Sequence, residues 1–135
     1  MKPILKKIFG SRSDREIKIL LPIVDEINQI AETLSSKSEV ELVSRAQEIR
    51  KEIISARESA EQELQEKNLT EKELKKLLQK TEQSTLDEYM PEAFAIVKET
   101  CRHLMGHSWQ MTGQTTEWNM IPYDVQIAGA IILHR

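Results

Sequence analysis

The sequence predicts a mainly α-helical chain with long helices, a charged helical hairpin and at most one short β-hairpin, near residues 109–120. Three observations lead there. Aromatic residues make up only 4% of 135 residues while apolar residues make up 39%, so a core must come from Leu, Ile, Val, Ala and Met, which suits helix packing better than aromatic-rich strands. Apolar residues recur at three- and four-residue spacing along most of the chain. Boxes of the form S/T-x-x-E at Ser13–Glu16, Thr70–Glu73 and Thr85–Glu88 read as helix starts, each able to satisfy two orphan backbone donors reciprocally.

Residues 1–12 form a basic amphipathic tip. Ile4, Leu5, Ile8 and Phe9 share a face at helical spacing with Lys2, Lys6 and Lys7 beside them, and Gly10 closes the element. These seven residues are expected to meet an anionic lipid surface weakly, because three lysines and a few apolar side chains give a salt-sensitive attachment. Residues 13–54 read as long helices. Ile17, Leu20, Leu21, Val24, Ala31 and Leu34 make one apolar stripe, and Ile19, Ile23, Ile27 and Ile30 widen it, so the helix should find partners on two sides. Pro22 removes one hydrogen bond inside it. The helix should stop in Ser35–Lys37, and Ser38 or Ser36 should cap a second helix carrying Val40, Leu42, Val43, Ala46, Ile49, Ile53 and Ile54.

Residues 55–84 are charged and thin in apolar anchors, which reads as a solvated helical hairpin turning at Asn68–Leu69. The Thr85–Glu88 box then predicts a fresh helix over 85–106, with Ala93, Phe94, Val97, Cys101, Leu104 and Met105, stopped by Gly106. Residues 107–122 are a loop or hairpin with Met111, Trp118 and Met120 as candidate inward residues. Residues 123–135 are the most apolar stretch and read as a buried helix capped by Asp124. The whole makes a single partial domain.

Net charge is −3, with six basic residues against two acidic ones in the first twenty and an acidic remainder. A basic head on an acidic body argues against a nucleic-acid binder. A single cysteine, Cys101, precludes an intrachain disulfide and fits a reducing compartment. No apolar run approaches the ~20 residues that span a bilayer, and the basic start has no signal-peptide apolar region. The expected location is cytoplasmic. Cys101, His103 and His107 invite a metal reading, but Gly106 interrupts the i, i+4 face of the two histidines and a fourth ligand is not evident, so no metal is expected. No nucleophile, base and acid stand at a recognisable spacing, and no catalytic residue is assigned.

Three blocks in order carry a resemblance. They are Ser13-Asp14-Arg15 with Ile19 and Leu21-Pro22-Ile23-Val24, Ile27-Asn28; then Leu86-Asp87-Glu88-Tyr89-Met90-Pro91-Glu92-Ala93-Phe94-Ala95; then Met120-Ile121-Pro122-Tyr123-Asp124-Val125-Gln126-Ile127-Ala128-Gly129, followed by Leu133-His134. The chain resembles the N-terminal segment of the SecA preprotein translocase ATPases, ending just before their phosphate-binding loop. The stretch 55–84 departs from the family pattern and looks like an insertion. The resemblance implies the N-terminal part of an α/β motor domain. It implies that Gln126 reads the adenine edge while Met120 and Tyr123 sandwich the base. A carboxamide offers a donor and an acceptor side by side, matching adenine N6 and N7. Tyr123 stands where the family has phenylalanine, Pro122 where it has histidine and Ile121 where it has arginine.

The function implied is a segment of a motor that drives secretory preproteins through the Sec channel using ATP/ADP with magnesium, peripherally attached to the inner membrane. No G-x-x-x-x-G-K-[ST] occurs in the 135 residues, so this chain alone is expected not to hydrolyse ATP. The apolar residues of the last helix, Val125, Ile127, Ile131, Ile132 and Leu133, are expected to be covered by the motor-domain sheet, and without that cover to drive homo-oligomer formation. The alternative is a stand-alone helical binding or structural module that takes no nucleotide.

Overall fold

The architecture is set by three long helices and a short fourth in a computed structural model that describes residues 12–65, 67 and 69–134. The expected tip of Lys2, Ile4, Leu5, Lys6, Lys7, Ile8 and Phe9 lies outside the described residues. Helix α1 spans Arg12–Leu34, α2 Glu39–Gln65, α3 Glu71–His103 and α4 Asp124–His134, with strands β1 (Ser108–Met111) and β2 (Gln114–Glu117) between the last two helices. The mainly helical class and the small hairpin agree with the sequence reading.

Helix α1 buries Leu20, Val24, Ile27 and Ala31, the i, i+4, i+7 and i+11 positions of one stripe. Pro22 sits on its exposed face, where the carbonyl deprived of an N–H partner can meet water. Ser38 resolves the choice of cap for α2. Its backbone N–H and hydroxyl both donate to Glu41 Oε2 at 2.8 Å, and the Glu41 N–H returns a bond to Ser38 Oγ at 3.3 Å. The backbone and hydroxyl bonds from Ser38, with Lys37 beside them, hold the Glu41 carboxyl at about 2, well below its ordinary value. Thr70 and Glu73 form the same reciprocal box at the start of α3.

The Thr85–Glu88 box does not start a helix. Helix α3 runs unbroken through it and through Pro91 to His103. The Thr85 hydroxyl turns back to the Thr81 carbonyl at 3.0 Å instead of capping, and strong helix formers on both sides continue the spiral. The helix is anchored along its length, because α3 packs against both α2 and α1, and such packing outweighs a single lost hydrogen bond at Pro91. The second arm of the charged hairpin and the helix after it are therefore one continuous element, while the first arm is the end of α2.

Two apolar clusters result. Leu42 and Ile49 of α2 meet Ile96 of α3. The larger cluster joins Leu20, Val24, Ile27 and Ala31 of α1 to Met90 and Ala95 of α3 and Ile127, Ala128 and Ile131 of α4. Arg45 of α2 clamps Glu92 of α3 with two bonds, Nε to Oε1 at 2.6 Å and Nη2 to Oε2 at 2.9 Å. Asp124 at the start of α4 lies near Lys98, and His134 at its end lies 3.6 Å from Asp87, so α4 runs antiparallel to α3.

The hairpin turns on Thr112 (φ 50°) and Gly113 (φ +80°), a two-residue turn with both central residues left-handed, whose twist matches the flanking strands. Met111 and Met120 are exposed and only Trp118 is half-buried; a two-stranded ribbon without a covering layer leaves its residues in water. Of the five apolar α4 residues expected to lie under a motor-domain sheet, Ile127 and Ile131 are already buried against α1 and α3, whereas Val125, Ile132 and Leu133 are exposed. An eleven-residue helix has two apolar sides, and periodicity alone did not divide them.

Candidate functional site

Helix α4 begins where the chain turns out of the hairpin. The Tyr123 carbonyl accepts from Gln126 N–H (2.9 Å) and Ile127 N–H (3.0 Å), so Tyr123, not Asp124, is the cap residue and Gln126 is the third helical position. Gln126 Oε1 accepts from the Tyr123 backbone N–H at 2.9 Å. This is the glutamine half of a capping box.

Asp124, displaced from capping, joins a polar trio instead. Asn28 Nδ2 donates to Asp124 Oδ1 at 3.0 Å, Lys98 Nζ donates to Asn28 Oδ1 at 2.5 Å, and Lys98 Nζ lies 3.6 Å from Asp124 Oδ1. The Lys98 side chain is only 14% exposed, so these two partners replace water around its buried end. The trio ties α1 and α3 to the first turn of α4, where a carboxylate also meets the positive end of the helix dipole. No local pattern in the sequence links residues 28, 98 and 124, which lie in three separate segments.

Beside this turn, Met120, Pro122, Gln126, Ile127 and Ala130 face Phe94 and Val97 of α3 across an open, mostly apolar cavity of about 250 Å³. Met120 and Gln126, two of the three residues expected at the base, line one cavity. Tyr123 does not line it and is exposed, at 73% for the whole residue. Phe94 and Val97 were legible only as helix-core residues, because nothing in a helical repeat tells a groove-lining residue from a buried one.

The candidate metal residues divide. Burial pushes the Cys101 thiol up, away from the reactive thiolate. His103 Nε2 lies 3.6 Å from Oε1 of Glu99, a buried carboxylate that also meets Arg102 Nε at 3.2 Å. Among the described residues no group of three or more His, Cys, Asp or Glu could hold a metal ion, and no helix is long and apolar enough to cross a membrane.

The model of the SecA DEAD-like domain matches residues 5–135. The chain belongs to this family. Among similar proteins, the protein translocase subunit SecA of Chloroherpeton thalassium is 41% identical over 152 residues, taking in all of this chain and 15% of the relative. That of Chlorobaculum tepidum is 38% identical over 152 residues, again 100% of this chain and 15% of the relative. That of Salinibacter ruber is 35% identical over 167 residues, 97% of this chain and 14% of the relative. No solved structure matches. The SecA-like chain thus spans about 15% of the length of the curated relatives it matches. The alignment with the C. thalassium protein runs over 152 residues against 135 here, so the extra length in this span belongs to that relative.

Proposed function

We propose that the chain supplies the adenine-recognising part of the nucleotide site in an ATP-driven protein-translocation motor, with α1–α3 bracing that site. The observation that carries this reading is the meeting of Met120 and Gln126 on one open cavity, at the turn fixed by the Asn28–Lys98–Asp124 trio. Gln126 Oε1 has two lone pairs, and the Tyr123 N–H takes one. The second lone pair and both amide hydrogens remain for a ligand. An adenine would donate from N6 to Oε1 and accept at N7 from Nε2, while the Met120 thioether lies against one face of the base. The exposed Tyr123 ring would close over the other face, a stacking contact typical of aromatic side chains and bases.

The 135 residues contain no G-x-x-x-x-G-K-[ST], so in this reading they contribute base recognition and not phosphate chemistry. Magnesium and the phosphates would be held by other residues of the motor, and the Sec channel and secretory preproteins would be its partners.

The test is fluorescent-ADP affinity with GTP competition in the full-length protein. Gln126→Ala loses both base contacts and should cut discrimination for adenine by about 1 to 3 kcal/mol, with phosphate contacts keeping residual binding. Gln126→Glu keeps an acceptor for the Tyr123 N–H but has no donor for N7, so it should show the same relaxed preference with the helix start intact. Unchanged affinity and preference in both variants would reduce Gln126 to a capping residue and favour a helical module without nucleotide.

A further inference from the structure

The approach to the cavity is a stretch of chain with little to hold it. Among the described residues no backbone–backbone hydrogen bond engages residues 119–122. Yet Met120 must keep its place for the cavity to have a wall. The bond that fixes it comes from the hairpin: Trp118 Nε1–H donates to the Met120 carbonyl at 2.7 Å.

Trp118 is itself anchored three ways. Its carbonyl accepts from Gly106 N–H at 2.9 Å, and its N–H donates to the His107 carbonyl at 2.8 Å. Gly106, at φ +81°, adopts the left-handed conformation that brings the chain back onto the end of α3. The third anchor is Trp109, whose ring meets Trp118 edge to face with centroids 6.3 Å apart at 85°, a favoured aromatic geometry. Trp109 stands on β1 opposite Thr116, so the hairpin turns the end of α3 into a rigid bracket for one indole N–H.

We propose that Trp118 is a positioning residue for the base pocket, holding Met120 through its carbonyl, and that the hairpin Ser108–Glu117 exists in this chain to aim that indole. The proposal rests on the adenine reading of Met120 and Gln126. Trp118 touches no base itself. It sets the distance between Met120 on one wall and Gln126 on the other, so its loss should widen the pocket and relax the choice of base while leaving phosphate contacts alone.

The test uses Trp118→Phe in the full-length protein, which keeps an aromatic ring against Trp109 and removes the N–H donor with part of the indole, and Trp109→Phe as the partner variant that loses the same ring volume from the pair but keeps the donor. Fluorescent-ADP affinity, GTP competition and thermal unfolding are measured for both, beside Gln126→Ala. A neutral hydrogen bond of this kind corresponds to about five-fold in an equilibrium constant. The expected result is ADP affinity about five-fold weaker in Trp118→Phe, with GTP competing better than in wild type and Trp109→Phe closer to wild type. A purely structural role would lower the unfolding temperature and leave base preference unchanged, which overturns the proposal. If Gln126→Ala weakens binding and Trp118→Phe does not, the positioning role fails and the adenine reading stands. If neither variant changes binding, both fall together.

Discussion

Glu92 belongs to the Pro-Glu-Ala-Phe-Ala run that helped carry the family resemblance, and its partner gives that run a structural duty that can be measured. Arg45 reaches from α2 to Glu92 on α3 in a two-pronged bond of 2.6 and 2.9 Å, and also lies 3.3 Å from Glu48 and from Glu52 on its own helix. The Glu92 hydrogen bonds push the Arg45 pKa further up, on a guanidinium that is charged at any working pH. Hydrogen bonds to charged groups contribute about 1.5 to 3 kcal/mol when shielded, but exposed pairs give only ~0.2 to 1 kcal/mol. Arg45 and Glu92 are 33% and 27% exposed, between these limits, and planar bidentate geometry favours the upper part of the range. We expect a coupling of about 1 kcal/mol between the two residues, shrinking in molar salt. The assay is urea unfolding of wild type, Arg45→Ala, Glu92→Ala and the double variant at low and high salt. Additivity within about 0.3 kcal/mol would refute the clamp and leave the apolar cluster of Leu42, Ile49 and Ile96 as the main tie between α2 and α3.

Ile131 has no exposed surface and sits where α1, α3 and α4 meet; Ile131→Ala should lower unfolding stability by about 2 to 5 kcal/mol, whereas Leu133→Ala, at 90% exposure, should cost little, and equal losses in urea melts would mean that α4 packs by its other side. Glu41 titrates at about 2 in the folded chain against 4.5 ordinarily, chiefly through the Ser38 backbone bond, and Glu73 is lowered in the same direction by the Thr70 side chain. Both depressed carboxyls therefore contribute stability that is complete above pH 4.5 and lost as pH falls through the folded value. Amide protection at the start of α2, relative to the intrinsic exchange rate at each pH, should fall between pH 4.5 and 2, and Glu41→Gln should remove that dependence; an identical profile in the variant would rule the cap out as its source.

The helices were legible because their signals are local. The Thr70–Glu73 box starts α3, Ser38 caps α2, and the stripe Leu20, Val24, Ile27, Ala31 faces inward as its spacing requires. The errors have a common origin. Thr85–Glu88 carries the same letters as a working box, but a cap forms only where the chain before it leaves the helix, and α3, which packs on both α1 and α2, runs unbroken through these residues. Asp124 looked like a cap because aspartate is a good one; Asn28 and Lys98, distant in sequence, claim its carboxylate. The two sides of α4 could not be separated because both are apolar, and only the contacts of Ile127 and Ile131 distinguish them. Of the candidate site, the motif named Met120 and Gln126, while Phe94, Val97 and Trp118 emerged only from three-dimensional proximity.

The capping and base-reading roles of Gln126 look like rivals, and counting its hydrogen-bonding capacity makes them complementary. A side-chain amide that only caps uses one of two lone pairs on oxygen and neither amide hydrogen, which is the state the Tyr123 N–H leaves. That single bond fixes the carboxamide plane at the edge of the cavity before any ligand arrives. A glutamine otherwise loses rotamer freedom worth up to ~2 kcal/mol when it is ordered, and here folding of α4 has already met that cost. The same turn carries Tyr123, whose backbone is held by the cap while the residue as a whole stays 73% exposed. One local motif thus orients the residue proposed to read the base edge and presents the ring proposed to stack on it. On that proposal, a surface helix start with no deep pocket behind it would offer a preorganised half-site whose affinity would depend on whatever holds the phosphates.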